Sequence, residues 1–87
     1  MTWKFRSLDS AFERWAEDRD NGDRLALLER LAELIEYPAS ELPGKQQPGR
    51  PPNRRWEDLG QAHIFFTVFE VQGVLLVTEL IGKRLGE

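Results

Sequence analysis

The N-terminal segment of the chain alternates between apolar and basic side chains. Trp3 and Phe5 fall on one side of an extended chain, and Lys4 and Arg6 fall on the other. A period of two is typical of a strand that buries one face. The pattern therefore predicts a short strand in "TWKFRS".

Two helical patterns follow this strand. The first has an apolar stripe at the spacing of one helix face, formed by Leu8, Phe12 and Trp15. Its predicted start is Ser7, or else Ser10, because Glu13 three residues later would complete a capping box. The pair Asn21-Gly22 typically breaks a helix, so we expect the first helix to end before it.

The second helix is expected over "DRLALLERLAELIEY", residues 23–37. Its apolar face should consist of Leu25, Leu28, Ala32 and Ile35, widened by Leu27, Leu31 and Leu34. Pro38 should end this helix near Tyr37, because the residue before a proline disfavours the helical conformation. Two amphipathic helices joined by a tight turn should form a hairpin.

The second half of the chain predicts a loop followed by strands. Four of the five prolines lie in "SELPGKQQPGRPPN", which predicts an extended loop without a helix or a central strand. "RRWEDLG" is expected to be a short strand or edge segment. "HIFFTVFEV" and "VLLVTELIG" alternate as two strands of a hairpin, with Gln72-Gly73 as the turn.

These predicted strands carry apolar residues on both faces, whereas two consecutive helices should pack on only one side of the sheet. Two interpretations of the second face stay open. Its aromatic side chains cover one another, or they leave an apolar surface for a partner.

Composition narrows the chemistry. The chain of 87 residues is one domain's length and has no cysteine and a single histidine, His63. We therefore expect no disulfide, no metal site and no cofactor. The N-terminus has no apolar signal-peptide core, and no run of about 18 apolar residues is present, which predicts a cytoplasmic protein without a membrane span.

Charge is distributed unevenly. The formal net charge is -3, but residues 1–41 carry six basic against ten acidic side chains. Residues 42–56 carry four basic side chains, Lys45, Arg50, Arg54 and Arg55, and no acid. This patch is suited to binding a polyanion, and a solvated basic loop is the equally open alternative.

The order of elements resembles the RelE/ParE superfamily of toxins from bacterial toxin–antitoxin modules. The matching features are Leu42-Pro43-Gly44, Gly49-Arg50-Pro51, Arg54-Arg55, the strand pair Ile64–Val71 and Val74–Ile81, and the ending Gly82-Lys83-Arg84. The resemblance implies a single RelE/ParE-like domain over residues 1–87. It also implies an α+β fold, in which an N-terminal strand precedes a two-helix hairpin packed on one face of a curved antiparallel sheet (β-α-α-β-β-β).

The resemblance further implies a toxin that inhibits growth through translation, as an endoribonuclease that cleaves messenger RNA on the ribosome. In that reaction the 2′-hydroxyl attacks the adjacent phosphate, which requires a proton acceptor, a cation and a proton donor. By position, the candidate catalytic residues are His63, Arg84 and Arg54. The candidate RNA-binding residues are Lys45, Arg50, Arg54, Arg55, Trp56, Lys83 and Arg84, with Trp56 stacking on a base. The hairpin alone predicts that His63 and Arg84 are neighbours, because one strand starts where the next ends.

Departures from the family pattern keep other functions open. His63 stands where ribonuclease members have an arginine, their C-terminal tyrosine has no counterpart, and the chain is net acidic. A toxin that inhibits DNA gyrase needs no proton-transfer residues and is one alternative. A degenerate domain that only binds an antitoxin or another partner is the other. Both toxin functions, and a degenerate domain that binds an antitoxin, imply a cognate antitoxin and a possible hetero-oligomer with it.

Overall fold

The computed structural model describes residues 3–82, and within them the order of elements is as the sequence predicts. The strands are β1 (Lys4–Arg6), β2 (Lys45–Gln46), β3 (Arg54–Asp58), β4 (Ala62–Phe69) and β5 (Val74–Gly82). The helices are α1 (Leu8–Ala16) and α2 (Asn21–Leu34), and a 3₁₀ turn follows at Ala39–Glu41. The predicted α+β class, with one strand before the helices and the others after them, is confirmed.

The five strands form one mixed sheet in the order β1-β5-β4-β3-β2. Three of the pairs are antiparallel, but β1 runs parallel to β5. No hairpin joins these two strands, so no short turn fixes their relative direction. β2 pairs with β3 through only two residues inside the proline-rich segment, which is too short to leave an alternating pattern in the sequence.

The β4–β5 hairpin turns where the sequence predicts. The Gly73 amide donates to the Glu70 carbonyl at 3.2 Å, and Gly73 has a φ of 66°, a conformation that favours glycine. Further along, Phe66 faces Val77 but Phe65 faces Glu79, so Thr78 is an extra residue, a β-bulge. The bulge shifts the alternation of β5, and Leu80 points to the interior instead of Glu79.

The core lies between the two helices and one face of the sheet. Its sheet residues are Ala62, Ile64, Phe66, Val68, Leu75, Val77 and Leu80. Its helical residues are Ala11, Trp15, Ala16, Leu27, Leu31 and Leu34. Trp3, Leu42 and Leu59 extend the core at its margins. Both helices therefore cover the same side of the sheet.

The start of α1 at Ser7 confirms the first of the two predicted starts, whereas α2 begins earlier than predicted. Ser7 precedes α1 with a φ of 58° and makes no side-chain cap, so the capping box at Ser10 is not used as the start. α2 begins at Asn21 rather than at residue 23, because the Asp20 carboxylate accepts the Asp23 amide at 2.8 Å. Asn21-Gly22 thus lies in the first turn of α2, where the amides need no helical partner.

The buried face of α2 also corrects the prediction. Leu27, Leu31 and Leu34 face the core, whereas Leu25 is 60% exposed and Leu28 is 46% exposed. Seven apolar positions surround most of this helix, so the pattern alone does not fix its rotation. A tertiary contact helps to set it, since the Arg24 guanidinium donates to the Ala16 carbonyl at 2.8 Å.

Trp3, which directly precedes β1, is hydrogen-bonded to the residues that follow α2. Its amide donates to the Ile35 carbonyl at 3.0 Å, and its indole nitrogen donates to the Tyr37 carbonyl at 2.8 Å. These bonds hold the end of α2, which terminates at Leu34 and continues as a turn to Tyr37. The helix therefore ends three residues earlier than the pattern predicted.

Phe66 is fully buried at the centre of the core, and its truncation tests the packing. We expect Phe66→Ala to lower the free energy of unfolding by roughly 3–5 kcal/mol. Phe69→Ala, at a position 37% exposed on the opposite face, should cost about 1 kcal/mol or less. Urea titration followed by circular dichroism measures both. Equal losses would contradict the one-sided core.

Two tryptophans provide a matched test of the Trp3 hydrogen bond. Trp15 is 6% exposed and its buried indole nitrogen has no partner, whereas the Trp3 nitrogen is bonded. Trp3→Phe should therefore destabilise the fold by about 1 kcal/mol more than Trp15→Phe, since only the first loses a hydrogen bond. Thermal unfolding of both variants gives the difference. A larger loss in Trp15→Phe would show that the bond contributes little.

Candidate nucleic-acid interface

Within residues 3–82, the helices pack on one side of the sheet, and its other side, here called the outer face, is partly exposed, although Thr67 and Val74 on it are buried. Its members alternate with the core residues along each strand. They are Lys4, Arg6, Lys45, Arg54, Trp56, Asp58, His63, Phe65, Thr67, Phe69, Val74, Leu76, Glu79 and Ile81. Aromatic and aliphatic side chains occupy its middle, and basic side chains lie toward its two sides, on β1, β2 and β3.

Strand register orders the outer face into rows that run across the strands. One row consists of Arg6, Leu76, Thr67 and Arg54. The next consists of Glu79, Phe65, Trp56 and Lys45. A third consists of Ile81, His63 and Asp58. Residues in one row are cross-strand neighbours, so their side chains are within reach of each other.

Trp56 is the centre of an aromatic group on this face. Its ring centroid lies 6.4 Å from that of Phe65 at an interplanar angle of 24°, and 5.5 Å from that of His63 at 42°. The Lys45 ammonium lies 4.9 Å from the Trp56 ring, within the range of a cation–π interaction. The three rings are half-buried, so each keeps part of its surface open to solvent. The sequence left open whether these aromatic side chains cover one another or leave an apolar surface for a partner. In the structure they pack on one another, and each ring remains partly accessible to solvent.

A shallow cleft of about 250 Å³ adjoins this group. Phe65 lines it together with Arg50, Arg54, Thr78 and Glu79. Arg50 reaches the cleft from a tight turn, in which its amide donates to the Gln47 carbonyl at 3.1 Å. The cleft thus combines an aromatic ring, two guanidinium groups, a hydroxyl and a carboxylate.

Arg55 lies apart from the other predicted RNA-binding residues. It alternates with Arg54 and Trp56 and therefore points to the helical side, where its guanidinium donates to the Leu42 carbonyl at 3.2 Å. The side-chain amide of Gln47 donates to the Arg55 backbone carbonyl at 3.1 Å. Gly44 packs so closely that a Cβ there would come within 3.1 Å of Arg55. Arg55 therefore holds the proline-rich loop against the sheet.

The two described catalytic candidates, His63 and Arg54, share the outer face but not a row. Arg54 faces Thr67, and His63 lies four residues before Thr67 on the same strand. Four residues of strand span about 13 Å. Trp56 and Phe65 lie in the row between them, so Arg54 and His63 are not cross-strand neighbours.

The hairpin brings its two ends together as expected. His63 faces Ile81, and Ala62 faces Gly82. Lys83 and Arg84 follow Gly82 directly but lie outside the described residues. The predicted proximity of His63 and Arg84 therefore stays a prediction.

The fold separates acidic from basic side chains, a distribution that the formal net charge of -3 does not show. All ten acidic residues of the first 41 lie in the helices or in the turns next to them. The described outer face carries four basic side chains, Lys4, Arg6, Lys45 and Arg54, against the carboxylates of Asp58 and Glu79. The carboxylate of Asp58 accepts the Gly60 amide at 2.8 Å. An acidic chain therefore presents a face on which basic groups outnumber acidic ones.

Sequence reasoning gave no functional role to four residues that the structure places beside the predicted ones on this face: Lys4, Arg6, Phe65 and Glu79. The alternation of "TWKFRS" shows that Lys4 and Arg6 point away from the core. Only the parallel pairing of β1 with β5 shows that they share a face with Trp56.

Comparison with known proteins leaves function to be argued from this geometry. The sequence matches no protein-family model, and no curated protein matches it at a significant level. Within residues 3–82, no group of side chains is arranged to hold a metal ion, and no helix is long and apolar enough to cross a membrane. The likeness to the RelE/ParE superfamily therefore remains a resemblance of element order and short motifs.

Proposed function

We propose that this chain is a toxin-type domain that binds single-stranded RNA on its outer face and inhibits translation by acting on messenger RNA. The observation that carries the proposal is the group around Trp56, in which three accessible rings adjoin Lys45 and Arg54. Aromatic rings bind bases by stacking, and the neighbouring cations bind phosphates.

The geometry favours a single strand over a duplex. Trp56 and Phe65 are nearly parallel, at 24°, and lie on an open sheet. A base stacks on such a ring only if its own flat face is free, which is so in a single strand but not inside a duplex. Each stacked base contributes about 1–3 kcal/mol to binding.

The charge distribution supports the same ligand. Arg50 and Arg54 line the cleft beside Phe65, and guanidinium groups donate to phosphate oxygens in pairs. The acidic helices lie on the other side of the sheet, so they oppose the approach of RNA from that side. A polyanion is therefore directed to the outer face.

Cleavage of the bound strand is the part of the proposal that comes from the family resemblance. His63 is the only histidine, and an imidazole ring can accept and donate a proton. It would accept the 2′-hydroxyl proton while that oxygen attacks phosphorus and the 5′-oxygen leaves with a proton from a second group. The products would be a 2′,3′-cyclic phosphate and a 5′-hydroxyl. Lys83 and Arg84 are the proposed cations beside His63.

A partner-binding domain is the second candidate, and one observation favours it. Leu25 and Leu28 of α2 are 60% and 46% exposed on the helical side, away from the outer face. Exposed leucines on one helix suit an apolar protein partner such as the cognate antitoxin proposed for a toxin of this kind. This candidate predicts partner binding without RNA binding or growth arrest.

Binding of RNA is tested with a labelled single strand of about 12 nucleotides, followed by fluorescence anisotropy. Trp56→Ala should weaken binding roughly 5- to 150-fold, the equivalent of one lost stacking contact of about 1–3 kcal/mol. Trp56→Phe should retain most of the affinity. Tyr37→Ala removes an aromatic ring that is 43% exposed on the helical side and serves as the control. Absence of binding by the unmodified protein, or equal losses in Trp56→Ala and Tyr37→Ala, would contradict the proposal.

Cleavage is tested separately on translating ribosomes, with primer extension to map breaks in the messenger RNA. We expect breaks with the unmodified protein and at least 100-fold slower cleavage in His63→Ala, because general acid–base catalysis contributes about 100- to 10,000-fold. His63→Gln keeps a polar side chain and should be equally slow. Intact messenger RNA would remove the ribonuclease activity from the proposal and leave RNA binding in place. Inhibition of DNA supercoiling in a parallel assay would indicate gyrase as the target.

A further inference from the structure

The outer face has a second basic edge, formed by Lys4 and Arg6 of β1. Both side chains are exposed, and they point outward because Trp3 and Phe5 pack toward the core. We propose that Lys4 and Arg6 bind phosphates of the RNA, so that the strand crosses the sheet from β3 to β1 instead of following one β-strand. This inference rests on the proposed function and extends its site to the other edge of the sheet.

Strand register gives the path. Arg6 faces Leu76, Leu76 faces Thr67, and Thr67 faces Arg54. Three steps between neighbouring strands, each of about 4.8 Å, place the two arginine Cα atoms roughly 14 Å apart. Lys4 extends the basic edge by one row, since it faces Val74, which faces Phe69.

The space between the two edges fits bases. Leu76 and Thr67 separate the arginines, and the Phe65 and Trp56 rings lie in the adjacent row. Four-stranded RNA-binding sheets stack about two or three bases on such a surface. A segment of this length would place bases on the apolar centre and a phosphate at each basic edge.

Charge favours this direction over a path along β3 and β4. A strand of RNA that followed β4 from Thr67 toward His63 would pass the carboxylates of Glu79 and Asp58 in successive rows. The row from Arg54 to Arg6 contains no carboxylate. The row from Arg54 to Arg6 is therefore the one in which phosphates meet a cation at each end and no carboxylate between them.

Lysine and arginine on an edge strand also have a general role, which is to prevent edge-to-edge aggregation. That role requires charge on β1 but no contact with RNA. The two roles differ in the salt dependence of RNA binding, because each phosphate contact releases counterions.

The test compares two double variants with the same net charge. Lys4→Gln/Arg6→Gln removes the β1 edge, and Arg14→Gln/Arg30→Gln removes two exposed charges from the helices. The ligand is the same labelled single-stranded RNA of about 12 nucleotides, titrated over a series of salt concentrations. Urea titration of both variants confirms that the fold is kept, which is expected because all four side chains are exposed.

We expect the β1 variant to lose about fivefold or more in affinity at low salt, and the helical variant to lose at most about twofold. The slope of log K against log salt should decrease by about 1.4 for two lost phosphate contacts in the β1 variant. It should stay unchanged in the helical variant.

Each other outcome contradicts a specific statement. Equal affinities and slopes in the two double variants would overturn the role of Lys4 and Arg6, while a loss in Trp56→Ala would leave the proposed function intact. If no substitution on the outer face weakened RNA binding, both the role of Lys4 and Arg6 and the proposed function would be overturned. A β1 variant with lower affinity and an unchanged slope would show that Lys4 and Arg6 act without phosphate contacts, which also overturns the proposal.

Discussion

Burial of one face of the β4–β5 hairpin under both helices is the constraint on which the rest of the structure depends. Phe66 and Val77 face each other at the centre of that side, and neither exposes more than 1% of its surface. Residues 3–82 form two α-helices, and both pack on this side. Small domains have little margin of stability, so their apolar surface is concentrated in one core. Among the described residues, neither helix packs on the opposite face of the sheet.

This one-sided core also explains how an acidic chain presents basic groups. The helices and the turns next to them carry the acidic residues of the N-terminal half. The edge strands β1 and β2, together with β3, carry Lys4, Arg6, Lys45 and Arg54 on the outer face. The sheet separates the two sets, which weakens the effect of the acids on a ligand at the outer face. Net charge is therefore a poor guide to ligand class for this chain, and the charge on each face is the relevant quantity.

The proline-rich loop contributes to the site through a residue that faces away from it. Arg55 donates to the Leu42 carbonyl and holds the loop against β3. The loop then forms β2, whose pairing sets Lys45 opposite Trp56. Sequence reasoning grouped Lys45, Arg54 and Arg55 as one basic patch. Successive side chains of a strand point to opposite faces of the sheet. Arg54 and Arg55 therefore lie on different faces and make different contacts.

The sequence by itself determined the class of fold, the order of its elements and the β4–β5 hairpin, because strong alternation and Gln72-Gly73 are local signals. It also named Trp56, His63 and Arg54, which the structure places on one face. It did not determine the rotation of α2, because leucines surround that helix and only contacts such as Arg24 with Ala16 choose a side. It did not reveal that Lys4 and Arg6 join the same face as Trp56, since the pairing of β1 with β5 connects residues about seventy positions apart. Periodicity reports which side of an element is apolar, whereas the tertiary structure decides which elements are neighbours, and with them the composition of the outer face.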